Sequence, residues 1–255
     1  RSAARASAAA KVTGRAEFSS DVVLPGLVHA VLIRSTIPRG EVTSFDADRA
    51  RAYSGVLLVL GPLDRPSMPG MAYTTDPNVR TRPVVDREVR FVGEEIGVVV
   101  ASTEAAARTA ATMVEIAYRS DRACLTVEDA LSEGAPSLLP EGNIVLGLEN
   151  TIERGDFAAA EAATEVFVDG EYSTEAQHHN PLEPHGCVAS WDGDVLTLWD
   201  SSQGVHMVRE QMARTLGLPL EKIRVLSRYV GGGFRPIIHM KAYHVVASGA
   251  GRGVG

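Results

Sequence analysis

The 255-residue sequence predicts a mixed α+β fold. Short β-branched or leucine-rich segments bounded by glycine and proline are typical of strands. In the first half they lie at 22–33, 55–60, 91–101 and 114–118. An alanine-rich helix is predicted between the last two of these, since Ser102-Thr103-Glu104 supplies a cap and an acidic first turn, and it runs to about Met113. Val98–Val100 is predicted to be a strand buried on both faces.

The second half opens with a short helix over 157–163 that Asp156 can cap. Further strands are predicted, and Asp192-Gly193 is a strong turn dipeptide between two of them. These strands lie at 165–174, 186–191, 195–200 and 222–229. A helix over 208–216 is stopped by Gly217. After the helix-like 243–248 the chain is glycine-rich, which is a poor composition for a packed element.

Residues 132–148 contain glycine and proline without clear periodicity, so they are predicted to be a linker. The sequence then divides into an arm at 1–10, a first domain at 11–131 and a second domain at 149–255. We expect separate hydrophobic cores on the two sides of the linker.

Composition excludes several classes of protein. A net charge of -7 disfavours nucleic acid as a partner, because phosphate binding needs a basic surface. Apolar runs stay shorter than the roughly 18 residues of a membrane span. Cys124 and Cys187 are far apart, with neither metal nor redox spacing, which excludes a disulfide framework and a zinc ribbon. A reducing, cytoplasmic location is therefore predicted.

Three imidazoles occur close together in the segment 177–185, as His178, His179 and His185. Such a cluster with Glu183 is compatible with a metal site, as in a metal hydrolase. Two prolines forbid a regular helix there, so the alternative is a polar loop whose Glu183 and imidazoles bond to neighbouring backbone.

Two further segments can carry chemistry. The triplet Gly231, Gly232 and Gly233, followed by Phe234, comes directly after a predicted strand. It is either a tight turn or a loop whose backbone approaches a ligand closely. Gln203 follows another strand and is either a surface glutamine or a neutral donor to a bound oxo group or anion.

In order and spacing, six stretches resemble the large subunit of the xanthine dehydrogenase and aldehyde oxidase family of molybdenum hydroxylases. They are 11–16 with Asp21 and 24–26, then 89–94, 155–157, 182–186, 199–203 and 230–234. The resemblance implies an α/β hammerhead-type domain, followed by the incomplete first part of a mixed α+β molybdopterin-binding domain. It also implies that Gln203 approaches the apical oxo ligand of molybdenum and that Gly231, Gly232, Gly233 and Phe234 line the metal and the pterin.

The same resemblance implies a molybdenum–molybdopterin cofactor, in its cytosine dinucleotide form, whose dithiolene holds the metal without protein ligands. It implies hydroxylation of aldehydes or N-heterocycles with oxygen from water. Iron–sulfur and FAD groups are expected on partner subunits, together with the remainder of the large subunit and a small-molecule substrate.

Two departures from the family pattern bear on activity. Arg235 and Pro236 stand where the loop after Phe234 usually stays small. The general-base glutamate of the family has no counterpart in this sequence, so no catalytic residue is expected within the chain. The sequence therefore predicts an N-terminal portion that carries one wall of the cofactor site and is inactive alone. The alternative is a catalytically inactive module that serves in subunit binding or assembly.

Overall fold

The structure is a computed structural model that describes residues 3, 5–64, 70–71, 82–137, 142–144, 154–234 and 237–253. The chain divides into two compact units, one of Arg1–Asp121 with His179–Gly255 and one of Arg122–His178. Within the described residues, every helix is too short or too polar to cross a bilayer.

The N-terminal part of the larger unit alternates strands with short helices. Its elements are α1 (Ala8–Val12), a 3-10 turn (Ser19–Asp21), β1 (His29–Arg34), β2 (Gly40–Asp46), α2 (Asp48–Arg51), β3 (Val56–Leu60), β4 (Gly70–Met71), β5 (Arg82–Pro83), β6 (Glu88–Val89), β7 (Glu95–Ala101), α3 (Glu104–Ala111) and β8 (Glu115–Ser120). The strands form antiparallel sheets in the orders β1-β7-β3 and β6-β2-β8, and β4 pairs with β5. Helix α3 begins as predicted, because the Thr103 side chain accepts a hydrogen bond from the Ala106 amide at 3.2 Å.

The C-terminal part of the larger unit is built on one three-stranded sheet. Its elements are β9 (Cys187–Asp192), β10 (Val195–Asp200), α6 (Val205–Leu216), a 3-10 turn (Leu220–Lys222), β11 (Ile223–Leu226) and α7 (Ala242–Gly253). Strands β9 and β10 form the predicted hairpin, and Gly193 in its turn has φ 58°. Strand β11 lies parallel to β10 on its other side.

Strand β7 is buried on both faces, as predicted, and this burial joins the two parts of the larger unit. Val99 and Ala101 pack into a cluster with β2 and α3. Val98 and Val100 belong to another cluster, which includes side chains of β10, α6 and α7. The prediction of separate cores is therefore wrong, because successive side chains of one strand point to opposite faces and serve both clusters.

Helix α7 extends beyond the predicted end at Ser248 and continues to Gly253. Its glycine-rich second half is held by Trp191 of β9, whose Nε1 donates a hydrogen bond to the Ser248 carbonyl at 2.9 Å. The Arg252 guanidinium lies over the Trp191 ring, 4.5 Å from its centroid. Packing against the sheet offsets the low helix propensity of glycine.

The smaller unit contains α4 (Val127–Leu131) and α5 (Phe157–Ala162). Asp156 caps α5 as predicted, and its Oδ1 accepts a hydrogen bond from the Ala159 amide at 2.9 Å. The strand predicted at 165–174 is absent: these described residues belong to neither a helix nor a strand. Their apolar side chains are exposed, with Val168 at 88% and Tyr172 at 95%. Alternation in the sequence favours a strand but does not supply the neighbouring strand that a sheet requires.

Candidate functional site

Two loops lie side by side because they follow two adjacent parallel strands. Trp199 near the end of β10 is in register with Leu226 at the end of β11. The chain after β10 passes through 201–204 into α6, and the chain after β11 passes through 227–234. Ligands of open sheets bind beyond the carboxyl ends of parallel strands, and this edge has that geometry.

The first loop is fixed on both sides by hydrogen bonds. The Ser202 hydroxyl donates to the Ile237 carbonyl at 2.9 Å, and the Gln203 amide donates to the same oxygen at 3.1 Å. From the other side, the Ser227 hydroxyl donates to the Ser202 carbonyl at 3.1 Å. A side chain on Gly204 would place its Cβ 2.7 Å from the Ile238 carbonyl oxygen, so only glycine fits this approach. The Gln203 backbone is therefore held firmly while its side chain faces the exposed side of the loop.

Gln203 and the glycine triplet are adjacent, as the sequence predicts. A Cβ built on Gly233 would lie 2.8 Å from Gln203 Oε1 and still closer to Cδ and Nε2. The Gln203 carboxamide thus lies directly against the Gly233 backbone. Any side chain at position 233 would occupy the space that the carboxamide now fills. The juxtaposition confirms the predicted proximity of the two segments.

Glu183 supports the glycine loop from its buried side. Its side chain is 9% exposed, and Oε2 accepts a hydrogen bond from the Gly231 amide at 2.6 Å. The Ser19 hydroxyl donates to Oε1 at 3.3 Å. A carboxylate that accepts a backbone N–H bond forms a charge-assisted hydrogen bond, which is stronger than a neutral one. The sequence interpretation of Glu183 as a bond acceptor for neighbouring backbone is therefore confirmed.

The three histidines considered as metal ligands all lie on the surface. His178, His179 and His185 are exposed. Partial desolvation of the ring lowers the pKa of His185, and the positive charge of Lys241 lowers it further. Among the residues that the structure describes, no group of three or more His, Cys, Asp or Glu side chains could hold a metal ion.

A buried polar group that the sequence analysis missed lies at the end of β10. Asp200 Oδ2 is 3.0 Å from Nε2 of His244 on α7, and both side chains are almost fully buried. Burial raises the pKa of the Tyr243 hydroxyl and of the Cys187 thiol, and in each case the negative charge of Asp200 raises it further. No spacing signal could have linked Asp200 to His244, since the contact depends on how α7 packs on the sheet.

Phe234 ends the glycine loop in an unusual conformation. Its φ is 40°, and its side chain is 63% exposed. A positive φ is costly for a residue with a Cβ and occurs most often at functional or tightly constrained sites. Arg235 and Pro236, the two residues that depart from the expected family pattern, lie outside the described residues.

This edge of the sheet fits a group that needs close backbone approach and a neutral donor. Gly231, Gly232 and Gly233 have no side chains, so their backbone can come close to a neighbouring group, as it does to Glu183 and Gln203. The Gln203 carboxamide can donate to an oxygen without adding charge. The exposed Phe234 ring adds an apolar surface beside them. The donor set suits a bulky anionic or oxo-bearing cofactor better than a bare metal ion.

Comparison with known families identifies two successive parts of the chain. Residues 13–122 match the family described as "Aldehyde oxidase and xanthine dehydrogenase, a/b hammerhead domain". Residues 139–252 match the "Molybdopterin cofactor-binding domain". The chain belongs to the xanthine dehydrogenase and aldehyde oxidase family. Within this family it corresponds to the N-terminal portion of the molybdenum-binding subunit, as the resemblance implied.

Individual family members cover nearly all of the chain. The aldehyde oxidoreductase molybdenum-binding subunit PaoC of Escherichia coli O157:H7 is 32% identical over 249 residues, which are 96% of this chain and 32% of the relative. The nicotinate dehydrogenase large molybdopterin subunit of Eubacterium barkeri is 34% identical over 226 residues, or 88% of this chain and 52% of the relative.

Quinoline 2-oxidoreductase from Pseudomonas putida 86 has a similar fold. Its crystal structure aligns with a TM-score of 0.86 at 29% identity, over 100% of this chain and 33% of that chain. The α+β fold of a hammerhead domain and part of a molybdopterin-binding domain is thereby confirmed. The chain spans about a third of the length of PaoC and of the quinoline enzyme.

Proposed function

We propose that this chain forms one wall of a molybdenum–molybdopterin site in a molybdenum hydroxylase. The observation that carries the proposal is the contact of the Gln203 carboxamide with the Gly233 backbone at the ends of two parallel strands. Family membership supports the same site, because residues 139–252 match a molybdopterin cofactor-binding domain. We also propose a hammerhead domain at 11–131, a linker at 132–148 and a partial molybdopterin-binding domain at 149–255.

The residues of this wall have distinct tasks in the proposal. The Gln203 carboxamide donates a hydrogen bond to an oxygen of the cofactor, and the backbone at Gly231–Gly233 lets the pterin approach closely. Phe234 packs against the cofactor or the substrate on the open side. When bound, the molybdenum cofactor supplies a two-electron oxidant and the route by which oxygen from water enters the substrate.

The substrate class in the proposal is an aldehyde or an N-heterocycle. An aldehyde and one water become a carboxylic acid, with release of two electrons and two protons. The cofactor is proposed in its cytosine dinucleotide form, and the electrons leave through iron–sulfur and FAD groups on partner subunits. The proposed location is the cytoplasm, where the free thiols Cys124 and Cys187 remain reduced.

The chain by itself is proposed to be inactive and to bind the pterin weakly. It spans about a third of PaoC, so one wall offers few of the donors needed to offset the desolvation and ordering of a large cofactor. The same observation favours a second candidate, a catalytically inactive module that uses the fold for subunit contacts or assembly.

The test begins with the chain co-expressed with iron–sulfur and FAD subunits in a host that makes the cytosine dinucleotide cofactor. Molybdenum and released CMP are measured in the purified complex. Cofactor retention supports the proposed site. In a completed enzyme that includes the remainder of the large subunit, Gln203→Ala should lower turnover roughly ten- to a thousandfold. Gln177→Ala, which changes an exposed glutamine in the smaller unit, is the matched control. Absence of both molybdenum and CMP from the wild-type complex favours the assembly module.

A separate assay tests the inactivity of the chain alone. The purified 255-residue chain is incubated with molybdenum cofactor, an artificial electron acceptor and a panel of aldehydes and N-heterocycles. Turnover equal to the cofactor-only blank is expected. Turnover above that blank would mean that these residues contain a complete active site.

A further inference from the structure

The buried Asp200–His244 pair links the end of β10, three residues before Gln203, to the first turn of α7. Asp200 is the last residue of β10, immediately before the 201–204 loop, and His244 lies in the first turn of α7. The two side chains are 2% and 1% exposed, and His244 Nε2 is 3.0 Å from Asp200 Oδ2. An isolated carboxylate at this depth would be costly, so removing either partner leaves the other as a costly buried polar group.

Hydrogen bonds at the start of α7 assign the tautomer of His244. The Lys241 amide donates to His244 Nδ1 at 2.9 Å, and the His244 amide donates to the Lys241 carbonyl at 3.1 Å. This reciprocal arrangement resembles a capping box in which an imidazole replaces the usual carboxylate. Because Nδ1 accepts the Lys241 N–H, we assign the ring proton to Nε2. Nε2 lies 3.0 Å from Asp200 Oδ2, but the two atoms form a close polar contact and not a well-aligned hydrogen bond.

The segment that leads into α7 also binds the Gln203 loop directly. The Ile237 carbonyl accepts hydrogen bonds from the Ser202 hydroxyl and the Gln203 amide. The Ile238 carbonyl lies so close to Gly204 that no side chain fits between them. The loop is therefore attached to the 237–244 segment at two places, through Ile237 and through the Asp200–His244 pair.

We propose that Asp200 and His244 are positioning residues that fix the Gln203 loop relative to α7, and so place the Gln203 carboxamide against Gly233. This inference rests on the proposed function, which gives the Gln203 position its purpose. Neither residue touches the proposed cofactor in this assignment. They act through the backbone between Asp200 and Gln203, and His244 acts through Asp200.

Amide hydrogen exchange of the full 255-residue chain tests the inference without cofactor. The Gln203 amide reports on the loop, and the Leu198 amide in the middle of β10 reports on the sheet. We expect His244→Asn to raise the exchange rate at Gln203 about tenfold relative to the rate at Leu198, because only the loop loses an attachment. Asp200→Asn should do the same. The double variant should exceed either single variant only slightly, since both changes remove one interaction.

The matched control is Val246→Ala, which removes buried methyl groups from the same helix. It should raise exchange at Gln203 and Leu198 in the same proportion, as a general loss of stability does. His206→Asn, at an exposed histidine of α6, should change neither rate. Nitrogen chemical shifts of the His244 ring provide a second measurement, and they should show the Nε2–H form.

Several outcomes would overturn the inference. One is an unchanged ratio of exchange at Gln203 and Leu198 in both Asp200→Asn and His244→Asn, and another is a ring proton on Nδ1. If the variants do not fold, the inference is tested by the position of the His244 ring proton in the wild-type chain. Failure of the proposed function is a separate result, because it is measured as missing molybdenum and CMP in the wild-type complex and leaves the exchange ratio unaffected.

Discussion

Replacing Glu183 should weaken the larger unit by an amount that depends on the substituent. Glu183→Ala removes the acceptor of the Gly231 N–H bond, which measures 2.6 Å, and leaves that amide without its partner. An unsatisfied donor of this kind costs about 1–3 kcal/mol. Loss of the buried Cγ methylene group adds about 1 kcal/mol. We therefore expect the free energy of unfolding to fall by about 2–4 kcal/mol.

The variant Glu183→Gln separates the contribution of the charge from that of the hydrogen bond. Its side-chain oxygen can still accept from Gly231, and its volume is almost unchanged, so only the charge-assisted part of the bond is lost. The expected cost is about 1 kcal/mol. Glu175→Ala, which removes an exposed carboxylate, should leave stability within about 0.5 kcal/mol of wild type.

Urea denaturation followed by tryptophan fluorescence measures these differences. Both tryptophans, Trp191 and Trp199, lie in the β9–β10 hairpin and report on the larger unit. The midpoint should decrease in the order wild type, Glu183→Gln, Glu183→Ala. The reasoning fails if Glu183→Ala is as stable as Glu175→Ala, or if the Gln variant is as unstable as the Ala variant, since the hydrogen bond to Gly231 would then contribute nothing.

Three further predictions concern the site, a thiol and the linker. Gly233→Ala should lower the free energy of unfolding by less than about 1 kcal/mol, because the new Cβ displaces only the flexible end of the Gln203 side chain. The NMR resonances of the Gln203 side-chain amide should nevertheless shift, and unchanged resonances would contradict the contact. Burial raises the pKa of the Cys187 thiol, so its alkylation at pH 8 should be slower in the native chain than in urea. The free energy of unfolding should fall as the pH rises above about 8.5, the pKa of the unfolded thiol, because only the unfolded chain then loses the proton. Equal alkylation rates in both states would show that the thiol is accessible. Limited proteolysis should cut first within 132–148, and earliest cuts inside 98–118 would show that the domain division is wrong.

The sequence predicted elements whose signals are local. Thr103 and Asp156 cap their helices, and Asp192-Gly193 turns its hairpin, because each depends on a few neighbouring residues. The predicted strand at 165–174 was wrong and β2 (Gly40–Asp46) was missed, since strand formation depends on partners that are distant in sequence. The sequence also did not predict that β7 contributes side chains to two hydrophobic clusters, because the residues that pack against it are distant in sequence.

At the site, the family motifs and their positions after strands predicted the proximity of Gln203 and the glycine triplet. Glu183 was recognised as an acceptor for backbone, but its partner Gly231 could be identified only in the folded chain. The Asp200–His244 contact had no signal at all, because a buried aspartate at a strand end and a histidine on a later helix share no motif. Tertiary packing therefore supplies the part of the site that local sequence cannot specify.

The exposed residues 165–172 have a consequence for how the chain behaves at high concentration. Val166, Phe167 and Val168 form an apolar run with high β propensity, and their backbone makes no ladder bonds. Such a run is a template for intermolecular strand addition. Glu165 and Asp169 flank this run with negative charge. Repulsion between these carboxylates on neighbouring molecules opposes the pairing of the apolar runs. Solubility of the purified chain should thus decrease when salt screens these carboxylates or when acid neutralises them.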